Sequence, residues 1–183
     1  MKKIMIAAVA VLALGAASAH ADTAFDGLYA GVEGGYGRTT LDAGGEDKAF
    51  SGGAFAGYGL TFDKIYLGAE AGVGIDGAEF STGGVDYERK LNYGVTGKVG
   101  YVVAPKALVY GLVGYERSDM EADDGVAVTK GTNDGFRFGF GSETFVRKNL
   151  TARTEVSYTD WRDQGGMPKA GEWKGTIGAA VRF

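Results

Sequence analysis

Residues 173–183 read WKGTIGAAVRF, and their character alternates two by two. Trp173, Gly175, Ile177, Ala179, Val181 and Phe183 share one register, while Lys174, Thr176, Gly178, Ala180 and Arg182 fill the other. Successive side chains leave a β-strand on opposite faces, so the stretch predicts a strand with one apolar face. The pattern recurs in GLYAGVEGGYGR, where Leu28, Ala30, Val32, Gly34 and Tyr36 oppose Tyr29, Gly31, Glu33, Gly35 and Gly37. It recurs again in IYLGAEAGVGI, where Leu67, Ala69, Ala71, Val73 and Ile75 oppose Tyr66, Gly68, Glu70, Gly72 and Gly74. Eight such segments are expected, at 27–38, 52–62, 65–76, 89–103, 107–117, 135–146, 150–160 and 173–183. The second and fifth are less regular, because following their glycines places Phe55 and Val113 on the polar register.

The connections alternate in length. Three are hardly more than FDKI, APKA and RKN, and the other four are long and polar. Short turns at one end, long loops at the other and an even number of antiparallel strands describe a transmembrane barrel of the outer-membrane type. A soluble eight-stranded barrel would put its apolar face inside. Here the charge-bearing register is also the glycine-rich one, and a narrow lumen has room for small residues and a few long polar ones. The apolar face is therefore expected to meet lipid, with no rows of Phe or Leu in the interior. The fold class expected is all-β, an eight-stranded antiparallel transmembrane β-barrel.

Composition agrees with strands and removes several chemistries. The chain has 33 glycines, 10 tyrosines, 10 phenylalanines and 2 prolines, and glycine inside a helix costs about 1 kcal/mol relative to alanine. Residues 1–21 begin with two lysines, run apolar from Ile4 to Ala19 apart from Gly15 and Ser18, and end in Ala19-His20-Ala21. That order is a secretory signal peptide, expected to be cleaved before Asp22 and to leave residues 22–183 as one barrel domain. Cleavage removes His20, the single histidine, and there is no cysteine. Thiolate catalysis, Ser-His mechanisms and zinc sites built on Cys or His then lack an essential residue, so neither an enzyme nor a cofactor is expected.

At this point the motifs NLTARTEVSYTDW, YAGVEGGYG, LGAEAGVG and TGKVGYVV together resemble the small outer-membrane β-barrel family related to the transmembrane domain of outer membrane protein A. The resemblance implies a cell outer-membrane location in a Gram-negative organism, partnership with outer-membrane lipid and lipopolysaccharide, and insertion by the barrel assembly machinery. Within that resemblance the terminal aromatic Phe183, preceded by Val181, Ala179 and Ile177 on the same register, is similar to the signal which that machinery reads. The chain stops at its last strand, so no wall-anchoring domain is expected. A monomer is expected.

Charge sorts by end. The four long connections, with their flanks, hold sixteen acidic and eight basic side chains, whereas the short turns hold Lys64, Lys106, Arg147 and Lys148 against Asp63. An acidic rim is a poor match for nucleic acid. The stretch SDMEADDG, residues 118–125, has spaced carboxylates but fails the calcium-loop template, with Asp124 at the turn glycine and Lys130 at the bidentate glutamate. The inward register collects Glu33, Glu70, Lys98, Arg137, Glu143, Arg153 and Glu155. Isolated charges in a narrow lumen are costly, so these are expected to form a salt-bridge network between opposite walls, with Glu143 and Arg153 paired beside a short turn. Glu33 and Arg137 have strand-end hydration as the alternative. The function expected is a structural or surface-interaction barrel contributing to envelope integrity. A narrow porin or diffusion channel for small solutes is the alternative.

Overall fold

The computed structural model describes residues 24–41, 46–77, 79–82, 85–123, 128–162 and 170–183, and every regular element among them is a strand. The signal segment 1–21 and residues 124–125, the end of the calcium-loop-like stretch, lie outside those residues. In chain order the strands are β1 (Gly27–Leu41), β2 (Glu46–Phe62), β3 (Ile65–Asp76), β4 (Glu79–Thr82), β5 (Val85–Ala104), β6 (Ala107–Asp123), β7 (Val128–Phe145), β8 (Leu150–Trp161) and β9 (Ala170–Arg182). Neighbours pair antiparallel in the order β3-β2-β1-β9-β8-β7-β6-β5, and a β3–β5 ladder closes the circle. The four-residue β4 extends the β5 hairpin beyond that ladder. The barrel therefore has eight staves.

Closure joins the two ends of the chain. Gly31 faces Ala180 across the β1–β9 ladder, and the Phe183 amide donates to the Leu28 carbonyl at 2.9 Å. Gly27 enters this seam with φ of 99°, and a Cβ there would stand 2.9 Å from the Phe183 carbonyl oxygen. Glycine meets both demands at once. The β2–β3 turn is just Asp63 and Lys64, with Asp63 at φ 58°, a left-handed conformation that aspartate tolerates in tight turns.

The outer wall is the apolar register. Phe138, Phe140, Val95, Val99, Ile75 and Ile177 are exposed along it, which is where lipid-facing side chains of a membrane barrel belong. Strands of 12 and 13 residues, β3, β8 and β9, are close to the roughly 9–11 residues that a tilted strand needs to cross a membrane. β5, β6 and β7, with 20, 17 and 18 residues, continue past that length at the long-loop end.

Two expectations are corrected here. Val113 lies on the outer wall together with Gly111, so the glycine rule misassigns β6, whose inward residues include Leu108, Tyr110 and Leu112. The lumen does hold large apolar side chains: at the short-turn end Phe25, Tyr66, Leu108, Tyr110 and Leu112 form a buried cluster. A second cluster of Tyr29, Phe55 and Ala180 lies beside it. Phe55 is inside, on the glycine register of β2. Space for these rings comes from glycine on adjacent strands. A Cβ on Gly59 would stand 2.5 Å from the Tyr66 ring, and one on Gly57 would stand 2.5 Å from Tyr29.

Candidate functional site in the barrel lumen

Pleat and register bring the inward polar residues into layers. In the layer nearest the short turns, Arg182 donates from Nε to Glu143 Oε1 at 2.9 Å and from Nη1 to the Phe25 carbonyl. Its guanidinium lies over the rings of Tyr29, Phe25 and Tyr66, with centroids at 4.5, 5.3 and 5.8 Å. A cation enclosed by ring faces and held by one carboxylate is well compensated for its loss of water.

The middle layer is a connected charge cluster. Arg153 of β8 reaches across the barrel to Glu70 of β3, four staves away in either direction, donating from Nη1 to Oε2 at 2.7 Å and from Nη2 to Oε1 at 3.3 Å. Nη2 also donates to Glu33 of β1, and the guanidinium carbon lies over the Phe55 ring, 3.3 Å from its centroid. Lys98 bridges Glu70 at 2.8 Å and Glu155 at 3.0 Å. Arg137 donates to Glu155 at 2.8 Å and to Glu116 at 3.1 Å, and the Tyr110 hydroxyl donates to Glu155 at 2.8 Å. The side chains of Arg153 and Glu155 are each 1 % exposed. Four acids and three bases share this layer.

Above it, toward the long connections, Asn92 donates to Asp76 at 2.6 Å, and Lys174 lies 3.3 Å from Asp76 and 3.4 Å from Glu172. The Trp161 indole donates to Glu172 at 2.9 Å. Between this layer and the middle one, against the β2–β3–β5 wall, is a cavity of about 60 Å³. At the outer rim Arg117 holds Asp134 through two bonds, 2.6 and 3.2 Å.

Six of the seven charges read from the sequence, Glu33, Glu70, Lys98, Arg137, Arg153 and Glu155, thus meet in one cluster. Glu143 stands apart. It faces Arg153 across the β7–β8 ladder, yet its carboxylate is bonded to Arg182, because Arg153 projects toward Glu33 and Glu70. The expected Glu143–Arg153 pair is corrected accordingly. Sequence reasoning also missed Glu116 and Arg182. Arg182 was accessible in principle, since it alternates with Phe183; Glu116 was hidden by the misassigned register of β6. Phe183 and Ile177 are exposed on the outer wall, with Ala179 and Val181 in the same register. Among the described residues, no group of three His, Cys, Asp or Glu is placed to hold a metal ion. The middle layer is arranged for mutual neutralisation of charge: its carboxylates are each engaged by at least one cation.

The chain and its barrel fold are similar to known proteins. The family model for the outer membrane protein beta-barrel domain matches residues 7–183. A 22 kDa outer membrane protein of Rhizobium leguminosarum bv. viciae is 34 % identical over 140 residues, 76 % of this chain and 66 % of the relative. A 25 kDa outer-membrane immunogenic protein of Brucella ovis is 26 % identical over 137 residues, 75 % of this chain and 68 % of the relative. The matched stretch spans about two thirds of each relative's length. The crystal structure of Neisserial surface protein A superposes with a TM-score of 0.66 at 14 % identity, covering 85 % of this chain and 97 % of that one. A closed eight-stave barrel, lipid-facing along one register and charged inside, together with a family match over nearly the whole sequence, places this chain in the outer membrane protein β-barrel domain family and in the outer membrane of a Gram-negative cell.

Proposed function

We propose that the protein is a structural and surface-displaying component of the outer membrane, without catalytic activity, whose lumen is closed to steady conduction by its own side chains. The Arg153 layer carries this reading: a guanidinium 1 % exposed, bonded to opposite walls and stacked on Phe55, occupies the middle of a barrel that eight strands make only wide enough for side chains to fill. The caged Arg182 and its aromatic neighbours close the end below it. The test is conductance of the refolded, mature protein in planar bilayers. Rare, brief openings or none are expected, and a long-lived open level in the unmodified protein would revive the second reading, a narrow diffusion channel. The cavity above the middle layer is the observation that favours that alternative.

The long connections then become the displayed part. The Brucella relative is named an immunogenic protein, which supports assigning surface exposure to the acidic loops here as well. Residues 1–21 act as the signal for export, and the folded barrel works as a monomer among outer-membrane lipid and lipopolysaccharide. Phe183, with Val181, Ala179 and Ile177, is the element read by the barrel assembly machinery. Deleting Phe183 should leave the protein exported but not folded, so its heat-modifiable form in outer-membrane fractions should fall at least tenfold. Normal accumulation of that form would overturn the assignment.

A further inference from the structure

The cavity between the middle and upper layers is a built feature of the wall. Gly53 of β2 faces Gly74 of β3, and Gly72 of β3 faces Gly94 of β5, so four inward positions in adjacent staves carry no side chain. At Gly72 a Cβ would find only the Ala54 carbonyl at 3.7 Å and the Phe55 Cβ at 3.9 Å, which is ordinary contact with open space beyond. The floor is Phe55 and Glu70.

The polar groups around that space are unequally used. Glu33 is held through one oxygen by Arg153, and Glu116 through one oxygen by Arg137. Their side chains are 21 % and 17 % exposed, against 1 % for Arg153 and Glu155 just below, so water reaches this level and stops there. Arg137, nine-tenths buried and lining the same cavity, keeps its Nε–H without a partner among the described residues. Lys174 lines it too, held by longer contacts of 3.3 and 3.4 Å. The pocket thus offers carboxylate oxygens to an ammonium and an unmatched buried donor, with a lysine, to a carboxylate. A plain anion would meet three lining carboxylates, and a plain cation would leave the Arg137 Nε–H unmet.

We propose that this pocket binds a small zwitterion, an α-amino acid with no side chain or one methyl group. The ammonium lies toward Glu33 and Glu116, and the carboxylate toward Arg137 and Lys174. Size agrees: about 60 Å³ is well above the roughly 10–15 Å³ needed to hold one water, so the space takes a molecule of a few non-hydrogen atoms, such as glycine. So few atoms can offset only part of the entropy lost on binding, which sets the affinity in the millimolar range. The site goes beyond the closed-lumen reading and does not rest on it, since the pocket stands whether or not the layer beneath conducts.

The experiment is saturation-transfer NMR and titration on the refolded mature protein, with glycine, alanine, acetate and methylammonium as probes. Glycine should bind with a dissociation constant of a few millimolar, and acetate and methylammonium at least about tenfold more weakly. Gly72→Val, which fills the open space, should abolish glycine binding while the barrel remains heat-modifiable. Glu116→Gln provides a milder test should the valine variant fail to fold, and should weaken glycine about tenfold. Absence of saturable glycine or alanine binding up to about 100 mM would mean that the pocket holds water only, and would overturn the proposal. Equal binding of acetate, or full binding by folded Gly72→Val, would overturn it too.

Discussion

Arg153 in the middle of the lumen and Arg117 at the outer rim make the same chemical bond in different surroundings. Both hold a carboxylate through two nitrogens, Arg153 at 2.7 and 3.3 Å and Arg117 at 2.6 and 3.2 Å. Judged by distance alone, the rim pair is the better one. Yet the Arg153 side chain is 1 % exposed and that of Arg117 is 43 % exposed. Water decides the difference. Asp134 and Glu70 are equally enclosed, 7 % exposed each, so the contrast lies in the cations. Arg117 shares its charge with solvent and Asp134 keeps other partners, whereas in the middle layer both members of the pair are enclosed and the carboxylates left behind keep their desolvation cost with less to offset it. The comparison teaches that the barrel's stability rests on how its charges are enclosed, more than on how many bridges it makes.

The largest effect should come from opening the middle layer. Arg153→Met keeps an unbranched, apolar side chain over Phe55 but strips Glu33 of its bridge and Glu70 of one of its two. Removing one partner of a buried pair costs about 3–5 kcal/mol, and reversible unfolding in bilayers should report a loss of that order. A loss below about 1 kcal/mol, the scale of exposed pairs, would mean that water enters the layer freely and that the two regions do not differ as described. Conductance recorded on the same variant sharpens the point, because a breached layer should open more often than the unmodified one.

A smaller effect separates true partners from neighbours. Glu143 faces Arg153 in the ladder but is bonded to Arg182, so double-mutant cycles should give coupling of about 1–3 kcal/mol for Glu143 with Arg182 and less than half of that for Glu143 with Arg153. The reverse ranking would show that ladder register outweighs side-chain reach inside this barrel.

That pair also marks how far the sequence could be read. Strand existence, register and the short-turn ends were legible, because a membrane wall enforces a two-residue period: the expected limits at 27, 62, 65, 76, 107 and 150 coincide with those of the structure. Beyond the lipid the apolar requirement lapses and the alternation loses contrast. Hence β5 begins at Val85 where 89 was expected, and β7 at Val128 where 135 was expected. The β6 register failed for a packing reason. Glycine marks places where a large group approaches, as Gly59 and Gly68 do beside Tyr66, and on β6 the large groups are its own Leu108, Tyr110 and Leu112, so Gly111 falls on the outer wall. Partner choice was illegible for a different reason: arginine spans several ångströms, and its end can leave its own ladder position, as Arg153 does in reaching Glu70.

The smallest effect belongs to the rim, and it is the one that most directly tests the comparison. Arg117→Ala removes both bonds to Asp134, but the guanidinium lost was 43 % exposed, Asp134 keeps other partners, and both lie on strands already past the membrane-spanning length. At low salt a slight lowering of the unfolding midpoint is expected. At about 1 M salt, where the screening length is about 3 Å, that difference should disappear, because a pair whose guanidinium is open to solvent is screened by the ions around it. The same addition of salt should leave the Arg153→Met defect nearly unchanged, since ions do not reach the floor of that layer, where the Arg153 and Glu155 side chains are 1 % exposed. Salt therefore acts as a probe of enclosure that requires no further mutation. Parallel salt responses in the two variants would place both arginines in the same environment, and the distinction between middle and rim would then have to be abandoned.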